Sequence, residues 1–218
     1  MNNIVIFDID NTIIKGQSQQ LLLKYLFKKR KINIFFLLKL YFWFFLYKFS
    51  IVKNPLPIME YSFKLVKDWD INLVDKIIND FFYSTLKKNI YSKIEKIIQK
   101  HIKNNDEILI ISNTIYPLAK VIAEYLNIKN VFATQLEIKN KKYTGNLYKE
   151  IVYSKKKVKV AKKFIRKNHL TLKNSYAYAD HLSDLSLLKL VDHPIVVNPN
   201  KKFNKIARKK NWKIIKLK

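Results

Sequence analysis

The chain opens Met1-Asn2-Asn3-Ile4-Val5-Ile6-Phe7-Asp8-Ile9-Asp10-Asn11-Thr12-Ile13-Ile14-Lys15-Gly16, and the reading of the fold turns on two acids placed directly after an apolar run. Four successive β-branched or aromatic residues, Ile4 to Phe7, predict a buried strand, and Asp-x-Asp-Asn-Thr predicts the loop that ends it. Asp8 and Asp10 therefore stand at the carboxyl end of a strand. Asp, Asn and Thr also terminate strands and cap helices with no chemistry attached, so this stretch acquires meaning from what the rest of the chain brings beside it.

Four further short apolar segments read as strands: 107–111, 130–133, 175–179 and 194–197. Between them, Leu118, Val121, Ile122, Tyr125 and Leu126 repeat at helical spacing, as do Val158, Ala161, Phe164 and Ile165. Strands alternating with helices predict an α/β fold with a doubly wound, Rossmann-like parallel sheet. Leu136–Ile138 and Tyr143–Leu147 flank Lys139 to Lys142 as a small hairpin. The stretch from the first strand to residue 107 is too long for a simple crossover and predicts an inserted helical cap. Its helices are read at 17–31, 32–50, 58–67 and 71–87, broken at Pro55 and Pro57, with Tyr91–Lys103 returning as the first core helix. The expected division is a core of residues 1–16 and 88–218 with an all-helical cap at 17–87.

Composition narrows the functional classes. With 218 residues and 49% apolar content the chain can bury a core and is not a disordered protein. The absence of cysteine excludes disulfides, thiolate zinc sites and a cysteine nucleophile. No basic leader precedes the first apolar run, so a cytoplasmic location is expected, with peripheral attachment at the inner face of a membrane as its variant. The net charge of +27 attracts phosphates, nucleic acid and anionic membranes alike. A coding bias toward Lys, Ile and Asn gives the same excess. No nucleic-acid recognition motif accompanies the lysines, so no specific nucleic-acid partner is expected, and a basic nucleic-acid-binding protein without catalysis is the lesser alternative. No oligomeric state is assigned.

Ligands of a doubly wound sheet bind beyond the carboxyl ends of its strands. Asp8 and Asp10 follow the first strand, Ser112 and Asn113 follow the second, and Asp180 and Asp184 follow Tyr176–Ala179. A basic residue near Lys157 opens the helix before that last strand. Hard carboxylate and carbonyl oxygens suit Mg²⁺, and a carboxylate shielded by cationic and hydroxyl groups can attack the phosphorus of an ester.

The set resembles the haloacid dehalogenase superfamily of aspartate-nucleophile phosphatases, in its phosphoserine-phosphatase-like branch with a helical cap. Phe7-Asp8-Ile9-Asp10-Asn11-Thr12 is similar to the first motif of that family and Ile110-Ile111-Ser112-Asn113 to the second. The fourth is Tyr176-Ala177-Tyr178-Ala179-Asp180-His181-Leu182-Ser183-Asp184-Leu185, continued by Val191-Asp192-His193-Pro194 and Val197-Asn198-Pro199 to Trp212. The resemblance implies Asp8 as nucleophile, Asp10 as acid and base, and Ser112, with Thr12 and Asn113, in the phosphate cradle. It implies a Mg²⁺ cofactor on Asp8, Asp10 through its carbonyl, Asp180, and Asp184 in the outer shell. The motif lysine is one of Lys155, Lys156, Lys157 and Lys159, and family spacing selects Lys157. His181 stands where the family commonly has Ser, and Ser186 where it often has Pro. His181 is read as a solvated loop residue and Trp212 as packing against the sheet.

The cap bears on which phosphomonoester is the substrate. Phosphoserine-specific relatives place a glutamate and an arginine there, whereas this cap has no acid before Glu60, and its one arginine, Arg30, belongs to the cluster Lys28-Lys29-Arg30-Lys31. It has instead residues 32–49, INIFFLLKLYFWFFLYKF, whose charges are Lys39 and Lys48 alone. A lysine at mid-helix costs about 2.5–3.5 kcal/mol in a membrane span, and one span would separate Asp8 from its partners. Two placements remain: a helix buried in the cap, or one at a membrane interface between basic flanks. Residues 28–53 are thus the expected contact with an anionic membrane. The expected substrate is a membrane-borne phosphate such as phosphatidylglycerophosphate or lysophosphatidate, with phosphoserine or another small phosphate ester as the alternative.

Overall fold

The computed structural model describes residues 3–49, 51–52 and 54–217. Lys53 and the side chains of Phe44 and Lys48, which belong to the expected apolar helix and its basic flank, lie outside the described set. Strands β1 (Ile4–Phe7), β2 (Glu107–Ile115), β3 (Asn130–Thr134), β6 (Tyr176–Ala179), β7 (His193–Val197) and β8 (Lys213–Ile215) form one sheet in the order β3-β2-β1-β6-β7-β8. All neighbouring pairs are parallel. A separate antiparallel hairpin joins β4 (Leu136–Lys139) to β5 (Lys142–Leu147).

Side-chain alternation divides the core into two layers. Val5, Phe7, Ile108, Ile110 and Tyr178 face one side of the sheet, while Ile4, Ile6, Leu109, Ile111, Ala177 and Ala179 face the other. On the first side lie α5 (Ser92–Lys103) and α6 (Tyr116–Tyr125), and on the second α7 (Lys155–Lys167), α8 (Leu185–Leu188) and α9 (Lys201–Lys209). Both faces are covered, which is why the strands read as continuous apolar runs.

Between β1 and β2 the chain forms α1 (Ser18–Lys28), α2 (Ile34–Lys48), α3 (Leu56–Phe63) and α4 (Ile71–Phe81) before α5. Their buried residues, among them Leu26, Leu40, Ile58 and Ile78, join the same apolar cluster as Val5 and Phe7. The inserted helices thus share one continuous core with a face of the sheet. The hairpin ties in from the other side: Asp68 N–H donates to Tyr143 O at 2.7 Å, and Tyr143 N–H to Trp69 O at 2.9 Å. Asn140 and Lys141 both adopt positive φ at its tip, the backbone that a two-residue turn between twisted strands requires.

Several boundaries differ from those read in the sequence. β2 continues through Ile115, whose neighbour in β3 is Thr134, so Ser112 and Asn113 lie within a strand rather than after one. The helix expected over 71–87 ends at Phe81 and passes through a π turn (82–86) and a 3-10 turn (87–89). The wider turn lets Phe81, Phe82 and Leu86 all point inward. The helix expected over 58–67 runs from Leu56 to Phe63 and tightens to a 3-10 turn at 64–66. The first two cap helices are shorter than read, at 18–28 and 34–48. Strand β8 and helix α9 were not anticipated, because their Lys-rich sequences mask apolar residues that only the sheet edge recruits.

Gly145 in β5 has φ +78°, and a Cβ there would stand 3.1 Å from Lys67 Cβ and 3.2 Å from Lys64 Cα. Glycine is needed twice over, for its backbone angle and for the approach of the hairpin to the cap. Gly145→Ala is expected to cost about 1–2 kcal/mol from the left-handed backbone alone, measured as a lowered midpoint in urea unfolding.

Candidate active site

β1 sits where the winding reverses, with β2 on one side and β6 on the other, so the carboxyl ends of all three strands meet at one edge. Asp8 leaves β1 with its N–H on Tyr178 O of β6 at 3.0 Å. The loop then closes on itself: Asn11 N–H donates to Gly16 O and Gly16 N–H to Asn11 Oδ1, both at 3.1 Å. Thr12, Ile13 and Ile14 all donate N–H to Ile9 O. Ile9, Ile13 and Ile14 are fully buried and anchor the loop, while Asn11 and Gly16 take its positive φ angles. The acids are held by a rigid turn rather than by a flexible tip.

Carboxylate oxygens of Asp8, Asp180 and Asp184 lie within 4.8 Å of one another. Lys157, in the first turn of α7, places Nζ 2.7 Å from Asp8 Oδ1 and 2.8 Å from Asp184 Oδ1. Of the four lysines competing for this position, Lys157 alone is buried; Lys156 pairs with Glu150, and Lys155 and Lys159 are exposed. Burial alone lowers the affinity of Lys157 for its proton, but Asp184 and then Asp8 outweigh it and hold the ammonium above its ordinary range.

The acids respond in the opposite direction. Burial, and then the charge of Asp8, raise Asp180 to about 8, with Asn11 pulling the other way. Burial raises Asp184 to about 6 against the pull of Lys157. Burial and then Asp8 raise Asp10 to about 6, against an N–H from Ser18 that reaches its Oδ1 at 2.7 Å. Three facing carboxylates with one ammonium form an all-oxygen donor set short of positive charge, and that chemistry fits Mg²⁺. The Asp10 carboxylate is outside this cluster, turned toward Ser18.

The remaining expected residues are also near this edge. Ser112 is fully buried, and its hydroxyl lies 3.3 Å from Thr114 Oγ1, which in turn lies 3.1 Å from Ser18 Oγ. Thr12 is fully buried and its hydroxyl has no hydrogen-bond partner among the described residues. The carbonyl of Asn113 accepts Gln19 Nε2 at 3.3 Å. Sequence reasoning passed over Ser18, Thr114 and the side chain of Asn11. Thr114 had a signal, since residues 112 and 114 of one strand point the same way. Ser18 had none, because only the tertiary fold carries the start of α1 to Asp10. His181 is exposed and its Nδ1 caps the turn by accepting Ser183 N–H at 3.2 Å. Trp212 packs against the α7–α9 side of the sheet, and His193 opens β7 and stacks on Tyr176.

The doubly wound sheet thus delivers a buried acid cluster and a lysine to its switch point, the place where open α/β folds bind their ligands. A family model described as haloacid dehalogenase-like hydrolase matches residues 5–189, and the chain belongs to that family. Over the whole of both chains it is 26% identical to a histidinol-phosphatase of Neisseria meningitidis. It is 28% identical to a phosphoserine phosphatase of Mycobacterium tuberculosis over 57% of this chain and 41% of that one. The fold is shared with a protein of unknown function from Bordetella pertussis, with TM-score 0.89 at 19% identity over 99% of each chain. It is shared also with phosphoserine phosphatase in a phospho-aspartyl intermediate analogue, with TM-score 0.68 at 18% identity over 98% of this chain and 92% of that one.

Raised carboxyl values carry a stability consequence. Asp10, Asp180 and Asp184 bind protons more tightly in the folded chain than in the unfolded one. Metal-free stability therefore falls as pH rises from about 4 toward 8. A cation binds the deprotonated acids, so its stabilisation grows over the same window. In EDTA the melting temperature is expected to drop between about pH 5 and pH 8, and Mg²⁺ to raise it more at the higher pH. Asp180→Asn should flatten both effects; equal Mg²⁺ shifts at the two pH values would contradict the assignment.

Proposed function

We propose that the protein is a Mg²⁺-dependent phosphomonoester hydrolase working through an aspartyl-phosphate at Asp8. The observation that carries this reading is the cluster of Asp8, Asp180 and Asp184 around the buried Lys157 ammonium. Asp8, Asp180 and Asp184, with the carbonyl of Asp10, are the groups that would hold the cation. When bound, it supplies the positive charge that lets an anionic carboxylate approach an anionic phosphate.

Lys157 holds the Asp8 carboxylate in orientation through its Nζ–H···Oδ1 contact. One Asp8 oxygen attacks phosphorus in line; the new oxygen–phosphorus bond forms as the ester bond breaks. Asp10, raised to about 6, gives its proton to the departing alkoxide oxygen. The Asp10 carboxylate then takes a proton from the water that attacks the aspartyl-phosphate, which releases phosphate and restores Asp8. Ser112 and Thr12 donate hydroxyls to the phosphate oxygens, with Asn113 beside them. In this reading residues 17–87 act as the cap over a core of 1–16 and 88–218, and set the leaving group.

A lipid-borne phosphomonoester, of the type of phosphatidylglycerophosphate or lysophosphatidate, is the substrate class we favour. Its support is the apolar α2 in a cap that carries no acid from Asn11 to Met59 to meet an ammonium group. The second reading is a small amino-bearing ester such as phosphoserine or histidinol phosphate, favoured by the names of the relatives. A substrate panel containing these compounds distinguishes them by kcat/KM.

Asp8→Asn is expected to abolish phosphate release, and EDTA to do so reversibly. Turnover near that of the wild type in either case would sink the mechanism. Asp10→Asn should lose about 10²–10⁴-fold in kcat, the usual worth of general acid–base catalysis, while isothermal titration still detects Mg²⁺ binding.

A further inference from the structure

Helix α2 is apolar nearly all round, yet the fold buries one side of it. Leu37 and Leu40 are buried, and Phe36 and Trp43 pack partly against the cap core. On the opposite side Phe35 is 79% exposed, Leu38 57%, Phe42 60%, Phe45 54% and Phe49 61%. The spacing of three, four, three and four residues keeps all five within an arc of roughly 80° at 100° per residue. The backbone continues helically to Phe49, whose N–H reaches Phe45 O at 3.1 Å, and those two rings lie 4.5 Å apart. At roughly 150–250 Å² per aromatic side chain, the stripe presents on the order of 500 Å² of contiguous apolar surface. Soluble proteins rarely leave a patch of that size open without a purpose.

What surrounds the stripe identifies its occupant. The loop from α1 to α2 exposes Lys28, Lys29, Arg30 and Lys31. An open cavity of about 500 Å³ there is lined by Phe27, Lys28, Arg30, Lys31, Ile32 and Asn33. Lys39, beside the stripe, is exposed with Nζ 4.6 Å from the centre of the Tyr61 ring. Asp80 lines a cleft beside Lys29, but the segment from Asn11 to Met59 itself carries no acid, and the whole chain carries +27. A second copy would bring the same cations against this face, whereas an anionic bilayer offers acyl chains to the phenylalanines and phosphates to the lysines. Among the described residues no helix is long and apolar enough to cross a membrane. We infer that α2 lies in the plane of an anionic membrane interface, with Phe35, Leu38, Phe42, Phe45 and Phe49 among the acyl chains and the Lys28–Lys31 turn holding headgroup phosphates. This deepens the lipid-phosphate reading above and gives the cap a membrane to lift its substrate from.

Co-sedimentation of the full chain with phosphatidylcholine vesicles, with and without phosphatidylglycerol, tests it without any measurement of catalysis. Wild type is expected to pellet with the anionic vesicles at physiological salt. Phe35→Ser/Phe42→Ser/Phe45→Ser, which alters exposed positions, should lower the partition coefficient about ten-fold or more, with circular dichroism unchanged. Phe42→Trp keeps the stripe, and its added fluorescence should shift to the blue and be quenched by brominated anionic lipid. Wild type remaining in the supernatant, or a serine variant that sediments equally well, would overturn the inference. So would a wild-type dimer in analytical ultracentrifugation that the serine substitutions dissociate, since a second copy would then own the face. Loss of phosphatase activity in the panel above, with vesicle binding intact, would count against the catalytic reading alone.

Discussion

Lys157 is a buried ammonium shared by two buried carboxylates, and the site is arranged around that contact. An unpaired charge in this position would be expelled or neutralised. Its partners come from distant parts of the chain, Asp8 from the end of β1 and Asp184 from the turn before α8. The pairing therefore requires β1 and β6 to be adjacent and α7 to start above their carboxyl ends. It also leaves the cluster of three carboxylates with one positive charge, so the remaining acids rise toward neutrality by burial until a cation relieves them. The same electrostatic imbalance makes this edge a destabilising one at neutral pH.

The rigidity behind this comes from ordinary sources. Ile9, Ile13 and Ile14 fasten the loop after β1 into the core, while Asn11 and Gly16 supply the backbone angles that bring it round. Ala177 and Ala179 on β6 face the α7–α9 side, where small side chains permit helices to pack close to the sheet. The helices inserted between β1 and β2 are joined to the same core through Leu26, Leu40 and Ile78 and are braced by the β4–β5 hairpin at Gly145. The acid cluster and the inserted helices are consequently parts of one packed body, with the start of α1 bringing Ser18 N–H directly to Asp10.

Helix α2 shows how far a hydrophobic pattern informs. Its sequence left two placements open, a helix buried in the cap and one at a membrane interface, and the fold buries one side alone: Leu37 and Leu40 sit in the core while Phe35 and Phe42 stand outside it. A helix that is apolar on its exposed side as well as its buried one shows no amphipathic period, so the pattern alone could not say which side the core would take.

The sequence by itself determined the alternating α/β order, the long helical insertion, the hairpin, and the acids at strand ends, because apolar runs and turn residues are local properties. It also singled out Lys157, through spacing within a resembling family rather than through any property of lysine. Tertiary structure alone decided that Lys157 is the buried one among four neighbours, that β2 runs on past Ser112, and that the Lys-rich tail contributes α9 and β8. It alone brought Ser18 and Thr114 to the edge, and turned the Asp10 carboxylate away from the other acids. These outcomes depend on which distant surfaces exclude water together. A lysine becomes buried, and an acid shifted, only where residues more than a hundred positions apart close around it.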